Sequence, residues 1–219
     1  ARAALPLPDL VVLVLQGGGA LGAFQAGIYE ALIELGIELD WVAGISIGAV
    51  NAAIIAGNPR DEAVAKMREF WDGVSSALPT LPIADNDLLR EWTHLGAAAQ
   101  VATFGVPGFF VPRIPPPMFA ERQTPAAVSF YDTAPLAATL DRLVDWDRLN
   151  NGKVRLSVGA VAVETGNFRY FDTRTDTIDA RHIMASGALP PGLPPIEIDG
   201  NWYWDGGLVS NTPLEHVVE

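Results

Sequence analysis

The sequence predicts an α/β fold with three layers, in which helices pack on both faces of a mostly parallel central sheet. Three observations carry this. Short runs of branched and leucine residues, residues 11–15 first among them, are each followed by a glycine turn and then by a helical pattern. That order of strand, turn, helix and strand makes a parallel sheet, because parallel neighbours need a crossover that a helix supplies. Hydrophobic residues make up 49% of the 219 positions, enough for a core shared between layers.

Each element follows from its residues in turn. Residues 11–15 (Val-Val-Leu-Val-Leu) form an unbroken apolar run, the pattern of a strand buried on both faces. A glycine loop follows at 17–22. Residues 23–35 read as a helix with Phe24, Ile28, Ala31, Leu32 and Leu35 on its apolar face, stopped by Gly36. A short strand over 39–43 leads into Gly44-Ile45-Ser46-Ile47-Gly48. Residues 49–56 are a small apolar helix ending at Gly57, and Asn58-Pro59 opens another over 60–71. Residues 73–131 break the alternation: helix is expected only over 88–103, and the rest holds Pro107, Pro112, Pro115, Pro116, Pro117 and Pro125 among Phe109, Phe110 and Phe119. Such a stretch suits neither a helix nor a central strand, and reads as a lid, a lipid-docking loop or a packed surface loop.

Regular structure resumes with a helix over 133–144, a turn at 150–152 and a long buried strand over 154–163 that pairs with 168–171. Residues 196–198 and 202–204 flank Asp199-Gly200-Asn201, a hairpin signal, and Asp205-Gly206-Gly207 ends it. The organisation expected is one domain over 9–219 with an insert at about 73–131. Thr212-Pro213-Leu214-Glu215 is a capping box that announces a helix, so the sequence predicts further chain beyond Glu219.

The formal net charge of -12 repels phosphate backbones and argues against nucleic acid as a partner. It also argues against tight binding to anionic membranes, although a local patch can still dock. There are no cysteines, which removes disulfide and thiol chemistry. No apolar run near the start is long enough to span a bilayer and no signal peptide is recognised. A cytoplasmic domain with peripheral membrane contact is the expectation.

Three segments carry chemistry. Gly44-x-Ser46-x-Gly48 lies between a strand and a helix, where a serine on a sharp turn needs glycines two residues either side for room. The helix start beyond it offers unpaired N–H groups to an oxyanion; the alternative is a tight turn with Ser46 as a cap. Gly17-Gly18-Gly19 exposes consecutive backbone N–H groups that suit an oxyanion, a phosphate or a pyrophosphate. Gly17, Gly19 and Gly22 also fit a dinucleotide fingerprint, but Asp40, at the required distance, lies at the wrong end of its strand. For the serine's proton acceptor, His94, His182 and His216 each read better as surface or capping residues. The order Ser46, Asp205, His216 would match a hydrolase triad, yet His216 sits inside a helix. Asp205 is the better base: it ends an aromatic strand and two glycines follow it.

Together, Gly17 to Gly22, Gly44 to Gly48 and Asp205 to Gly207 resemble the patatin-like phospholipase family, most closely its bacterial members. Ala185-Ser186-Gly187-Ala188-Leu189-Pro190, Pro194-Pro195-Ile196 and Asn211-Thr212-Pro213 are similar too. The resemblance covers most of the chain from Val11 to Leu214 outside the insert. It implies a patatin-like fold and a serine hydrolase of lipid esters working through a Ser46–Asp205 dyad, with the N–H groups of Gly17, Gly18 and Gly19 as oxyanion hole. Gly22, Gly44, Gly48, Gly206 and Gly207 would be its motif glycines. It implies no metal and no other cofactor. Leu21 stands where many members carry Arg or Lys, so phospholipid, neutral acyl esters and polyesters all stay open as substrates.

Overall fold

The computed structural model describes residues 8–76 and 101–218. Its centre is a six-stranded mixed sheet flanked by helices. In chain order the elements are β1 (Val12–Leu15), α1 (Ala23–Glu34), β2 (Trp41–Ile45), α2 (Ile47–Ala56), α3 (Arg60–Ser75), β3 (Val111–Pro112), β4 (Tyr131–Asp132), α4 (Ala134–Leu143), α5 (Trp146–Asn151), β5 (Arg155–Ala162), β6 (Phe168–Asp172), α6 (Ala180–Ser186), β7 (Ile196–Ile198), β8 (Asn201–Asp205) and α7 (Leu214–Val218). The sheet runs β1-β2-β5-β8-β7, with β6 also on β5.

The sheet is parallel in the half that carries Ser46, where β1 pairs with β2 and β2 with β5. Pairings of β5 with β6, β5 with β8 and β7 with β8 are antiparallel. The expectation of a mostly parallel sheet therefore holds for the first half only. Five residues join β5 to β6 and two join β7 to β8, connections too short for the crossover that parallel strands require.

The core centres on α2, all ten of whose residues are buried. It lies against Val42, Leu156, Val158 and Phe171 of the sheet and Met67 and Phe70 of α3. Two expectations are corrected. β1 ends the strand order and is only half-buried along Val12–Val14, so it is not enclosed on both faces. α1 turns the other way round: Phe24 (75% exposed), Ile28 and Leu35 face solvent, while Tyr29 is buried and Ala26 and Ile33 pack on the core. Both sets obey helical spacing, so periodicity alone cannot choose between them.

Of the insert, residues 77–100 lie outside the described residues, and with them most of the expected helix over 88–103, together with His94. In the described part, β3 pairs with β4, and one-turn 3-10 helices span Pro117–Phe119 and Pro125–Val128. Among the described residues no helix is long and apolar enough to cross a membrane.

Candidate active site

The register of β5 brings Ser46 and Asp205 together. β2 pairs with Arg155 to Gly159 of β5, and β8 pairs with Ala160 to Ala162. Both lie on one edge, because β6 occupies the other along Ser157 to Val161. β2 and β8 run towards each other along that edge. Ile45 ends opposite Gly159 and Asp205 ends opposite Ala160. Ser46 is the next residue after Ile45, and its Oγ donates to Asp205 Oδ2 at 2.8 Å.

Ser46 has φ 55° and ψ -124°, a conformation that L residues avoid and that surrounding contacts must hold. Those contacts are visible. A Cβ at Gly44 would stand 2.4 Å from the Gly48 carbonyl oxygen, and one at Gly48 would stand 2.1 Å from that of Leu15. Both positions must be glycine for α2 to start so close to the strand ends. The Ser46 N–H donates to Ser186 Oγ at 3.0 Å, and Ser186 Oγ donates to the Gly159 carbonyl at 2.6 Å. The fully buried Ser186 thus ties the turn to β5.

Asp205 is 3% exposed. Its Oδ1 accepts from the Gly207 N–H at 2.7 Å. Burial pushes its carboxyl above the ordinary aspartate range, and the hydrogen bonds from Ser46 and Gly207 offset this only in part. Gly206 allows the turn after it, since a Cβ there would meet the Gly159 carbonyl oxygen at 2.6 Å.

The glycine loop is braced from two sides. Gly17 N–H donates to the Asn211 carbonyl at 3.1 Å, and Asn211 Nδ2 donates to the Gly17 carbonyl at 3.1 Å. A Cβ on Gly17 would stand 2.2 Å from Asn211 Oδ1. The Gly17 N–H is therefore already engaged. The N–H groups of Gly18 and Gly19 donate to no acceptor among the described residues. On the other side, buried Asn51 of α2 donates to the Gly22 carbonyl at 3.0 Å and to Gln25 Oε1 at 2.8 Å, and accepts from Trp71 Nε1 at 3.2 Å. Gly22 is required because a Cβ would come within 2.7 Å of Ile47.

The other candidates lie elsewhere. Asp40 accepts from the Val11 N–H at 2.8 Å, at the start of β2. His182 is in the first turn of α6, where its Nδ1 accepts from the Asp179 N–H at 3.1 Å. His216 stacks on Tyr170 at 3.7 Å and meets the edge of Trp41, opposite Arg155 at the far end of β5. His216 is no part of the Ser46–Asp205 pair. Among the described residues no group of three His, Asp or Glu could hold a metal ion.

Ser46 and Asp205 open onto a cavity of about 410 Å³. Gly19 and Ala20 form one side; Phe70, Trp71, Val74, Phe109 and Phe110 form its apolar wall. Phe104, Leu189 and Leu193 also line it, and among the described residues no Lys, Arg or His does.

The patatin-like phospholipase family profile matches residues 13–218. The chain belongs to this family. Patatin-like phospholipase domain-containing protein 7 of Mus musculus is 25% identical over 211 residues, 94% of this chain and 12% of that protein. Lysophospholipase nte1 of Aspergillus terreus is 54% identical over 46 residues, 21% of this chain and 3% of that protein. The chain spans 12% or less of the length of either relative. The crystal structure of VipD from Legionella pneumophila shares the fold, with a TM-score of 0.54 at 19% identity over 93% of this chain and 47% of that one.

In this patatin-like chain Ser46, Asp205 and Gly19 line one cavity, while Gly17, Gly18 and Gly22 line a separate hollow. Ser186, Asn211 and Asn51 also build the site, through contacts that the sequence does not show. Asn51 did carry a signal, as the sole polar residue in the apolar run 47–56. Ser186 and Asn211 lie in segments that resemble the family, but their hydrogen bonds span 140 and 194 residues of chain.

Proposed function

We propose that this domain hydrolyses carboxylic esters of lipids through a dyad of Ser46 and Asp205. The observation that carries the reading is the 2.8 Å hydrogen bond from a strained serine at a strand-to-helix turn to a buried carboxylate. Asp205 takes the proton as Ser46 Oγ attacks the ester carbonyl carbon. The carbonyl oxygen becomes an oxyanion, which the N–H groups of Gly18 and Gly19 stabilise together with the N-terminal end of α2. Gly17 shapes that loop through Asn211 instead of donating to the oxyanion. Protonated Asp205 then gives its proton to the leaving alkoxide, and an acyl ester remains on Ser46. Asp205 removes a proton from water, the hydroxide attacks the acyl carbonyl, and the carboxylic acid leaves as Ser46 Oγ regains its proton.

Burial supports this role, since a carboxyl with a raised pKa is a stronger base once ionised. The apolar wall suits an acyl chain, and the lack of a cation among the described lining residues favours a neutral or zwitterionic head group over an anionic one. Because the fungal relative is named a lysophospholipase, lysophosphatidylcholine is the first substrate to test, ahead of neutral esters and polyesters. Such a domain would meet its substrate by peripheral contact with a membrane.

The test is labelling with an active-site fluorophosphonate, read by intact mass. One adduct is expected on the natural chain and none on Ser46→Ala or Asp205→Asn. An adduct that survives Ser46→Ala refutes the nucleophile; full labelling of Asp205→Asn refutes the base.

A further inference from the structure

Residues 111–132 form a braced projection beside the cavity. β3 and β4 pair at its base, where Phe110 packs on Tyr131 with ring centroids 4.7 Å apart. Arg113 N–H donates to the Phe130 carbonyl at 3.0 Å, Arg113 Nε donates to Ser129 Oγ at 2.9 Å, and the guanidinium meets Asp132 at 3.3 Å. Beyond this clamp the chain reads Ile114-Pro115-Pro116-Pro117-Met118-Phe119-Ala120, seven residues without a charge. Three prolines restrict its backbone, and the Phe119 N–H closes the turn on the Pro116 carbonyl at 2.9 Å. The apolar side chains of this tip nonetheless point into solvent: Ile114 is 93% exposed, Met118 77% and Phe119 73%.

A rigid turn that holds three large apolar side chains in water opposes the hydrophobic effect. Its stiffness also means that little conformational freedom would be lost when it docks. The projection is continuous with the cavity wall. Phe130 and Tyr131 N–H groups donate to the Pro191 and Gly192 carbonyls, between Leu189 and Leu193 of the cavity lining. Two lining residues, Phe104 and Leu189, are themselves largely exposed, at 73% and 50%. Exposed apolar side chains thus stand both at the cavity rim and at the tip.

We infer that the turn over residues 113–120 inserts into the surface of a neutral or zwitterionic lipid layer and so brings the cavity mouth to its substrate. The choice of lipid as partner rests on the proposed function. Charge decides between lipid classes. The tip carries none, Arg113 is paired with Asp132, and the chain as a whole has a formal net charge of -12, so an anionic surface would repel it.

The experiment uses the inactive Ser46→Ala chain, so that binding is read without turnover. The natural chain has no cysteine, so Ile114→Cys places one environment-sensitive dye at the tip. With phosphatidylcholine vesicles its emission is expected to shift to the blue and brighten severalfold. The same dye at Lys153→Cys, before β5 at the end away from Gly159, is expected to stay unchanged. The variant I114S/M118S/F119S is expected to co-sediment with those vesicles at least tenfold more weakly. With Ser46 restored, it should still turn over a soluble short-chain ester within about twofold of the natural chain while losing activity on vesicles, as removal of apolar anchoring surface predicts. An unchanged dye at position 114, undiminished sedimentation of the triple variant, or binding that appears only with phosphatidylserine would each overturn the inference. Vesicle binding without turnover of any ester by the natural chain would sink the proposed function and leave the docking inference standing.

Discussion

Ser46→Ala and Ser46→Gly both remove the oxygen that bonds Asp205, but they leave different backbones. Alanine keeps a Cβ at φ 55° and ψ -124°; glycine adopts that conformation without steric cost. A side chain held in so sparsely populated a region costs about 1–3 kcal/mol. Glycine offsets part of the relief by about 0.4–1 kcal/mol, because its unfolded chain is freer. The lost hydrogen bond cancels in the comparison, and the Ser46 N–H bond to Ser186 is backbone-donated and survives in both. Ser46→Gly should therefore be more stable than Ser46→Ala by roughly 1 kcal/mol, or about 2–4 °C in Tm for a chain of this size. Differential scanning calorimetry of the two variants at one pH reads the difference directly. An alanine variant that melts at or above the glycine variant would show that the elbow holds no strain.

Four further outcomes follow from the same geometry. Turnover should fall on acidification with an inflection above about pH 4, the ordinary aspartate value, since the proposed base must be ionised and burial raises its pKa. The same shift means that the folded chain binds this proton more tightly than the unfolded one, so its contribution to stability is present below the unfolded value and is lost as pH rises through the raised folded one; Asp205→Asn should abolish turnover at pH 7 without lowering Tm, and a clear drop in Tm would contradict the assignment. Ser186→Ala leaves the Ser46 N–H and the Gly159 carbonyl without their partner in a fully buried place; thermal melts should show a loss of about 1–3 kcal/mol, with ester turnover reduced as well. Asn211→Ala frees the Gly17 end of the glycine loop, and steady-state kinetics should show kcat reduced more than tenfold with KM little changed; an equal loss in binding would place Asn211 against substrate instead.

The sequence made legible those parts of the site that depend on local backbone chemistry. Gly44 and Gly48 stand out because a serine between two glycines marks a forced turn, and the structure supplies the reason: a Cβ at either, as at Gly22 and Gly206, would strike a neighbour. Asp205 stood out because it ends an aromatic strand just before a glycine pair. What stayed hidden depends on contacts between distant residues. Nothing local tells that Asn211 Nδ2 reaches Gly17 or that Ser186 bridges Ser46 and Gly159. The buried face of α1 is hidden for a related reason: Tyr29 is buried on one side while Phe24, Ile28 and Leu35 face solvent on the other, and helical spacing treats both faces alike. Strand direction followed connection length, which the sequence did give for β7 and β8 through Asp199-Gly200.

The head-on approach of β2 and β8 along β5 makes the spacing of the two reactive groups a property of one strand. Ser46 and Asp205 are 159 positions apart in the chain, yet the strands that carry them end opposite consecutive residues, Gly159 and Ala160. That single repeat acts as a fixed ruler: segments looping out between them, the projection over 111–132 included, can grow or shrink without moving the hydroxyl relative to the carboxylate. The tolerance ends at β5 itself. One residue inserted between Gly159 and Ala160 would push β2 and β8 apart by about 3.3 Å, far beyond the reach of a hydrogen bond, and would break the pairing of β5 with β6 at the same point.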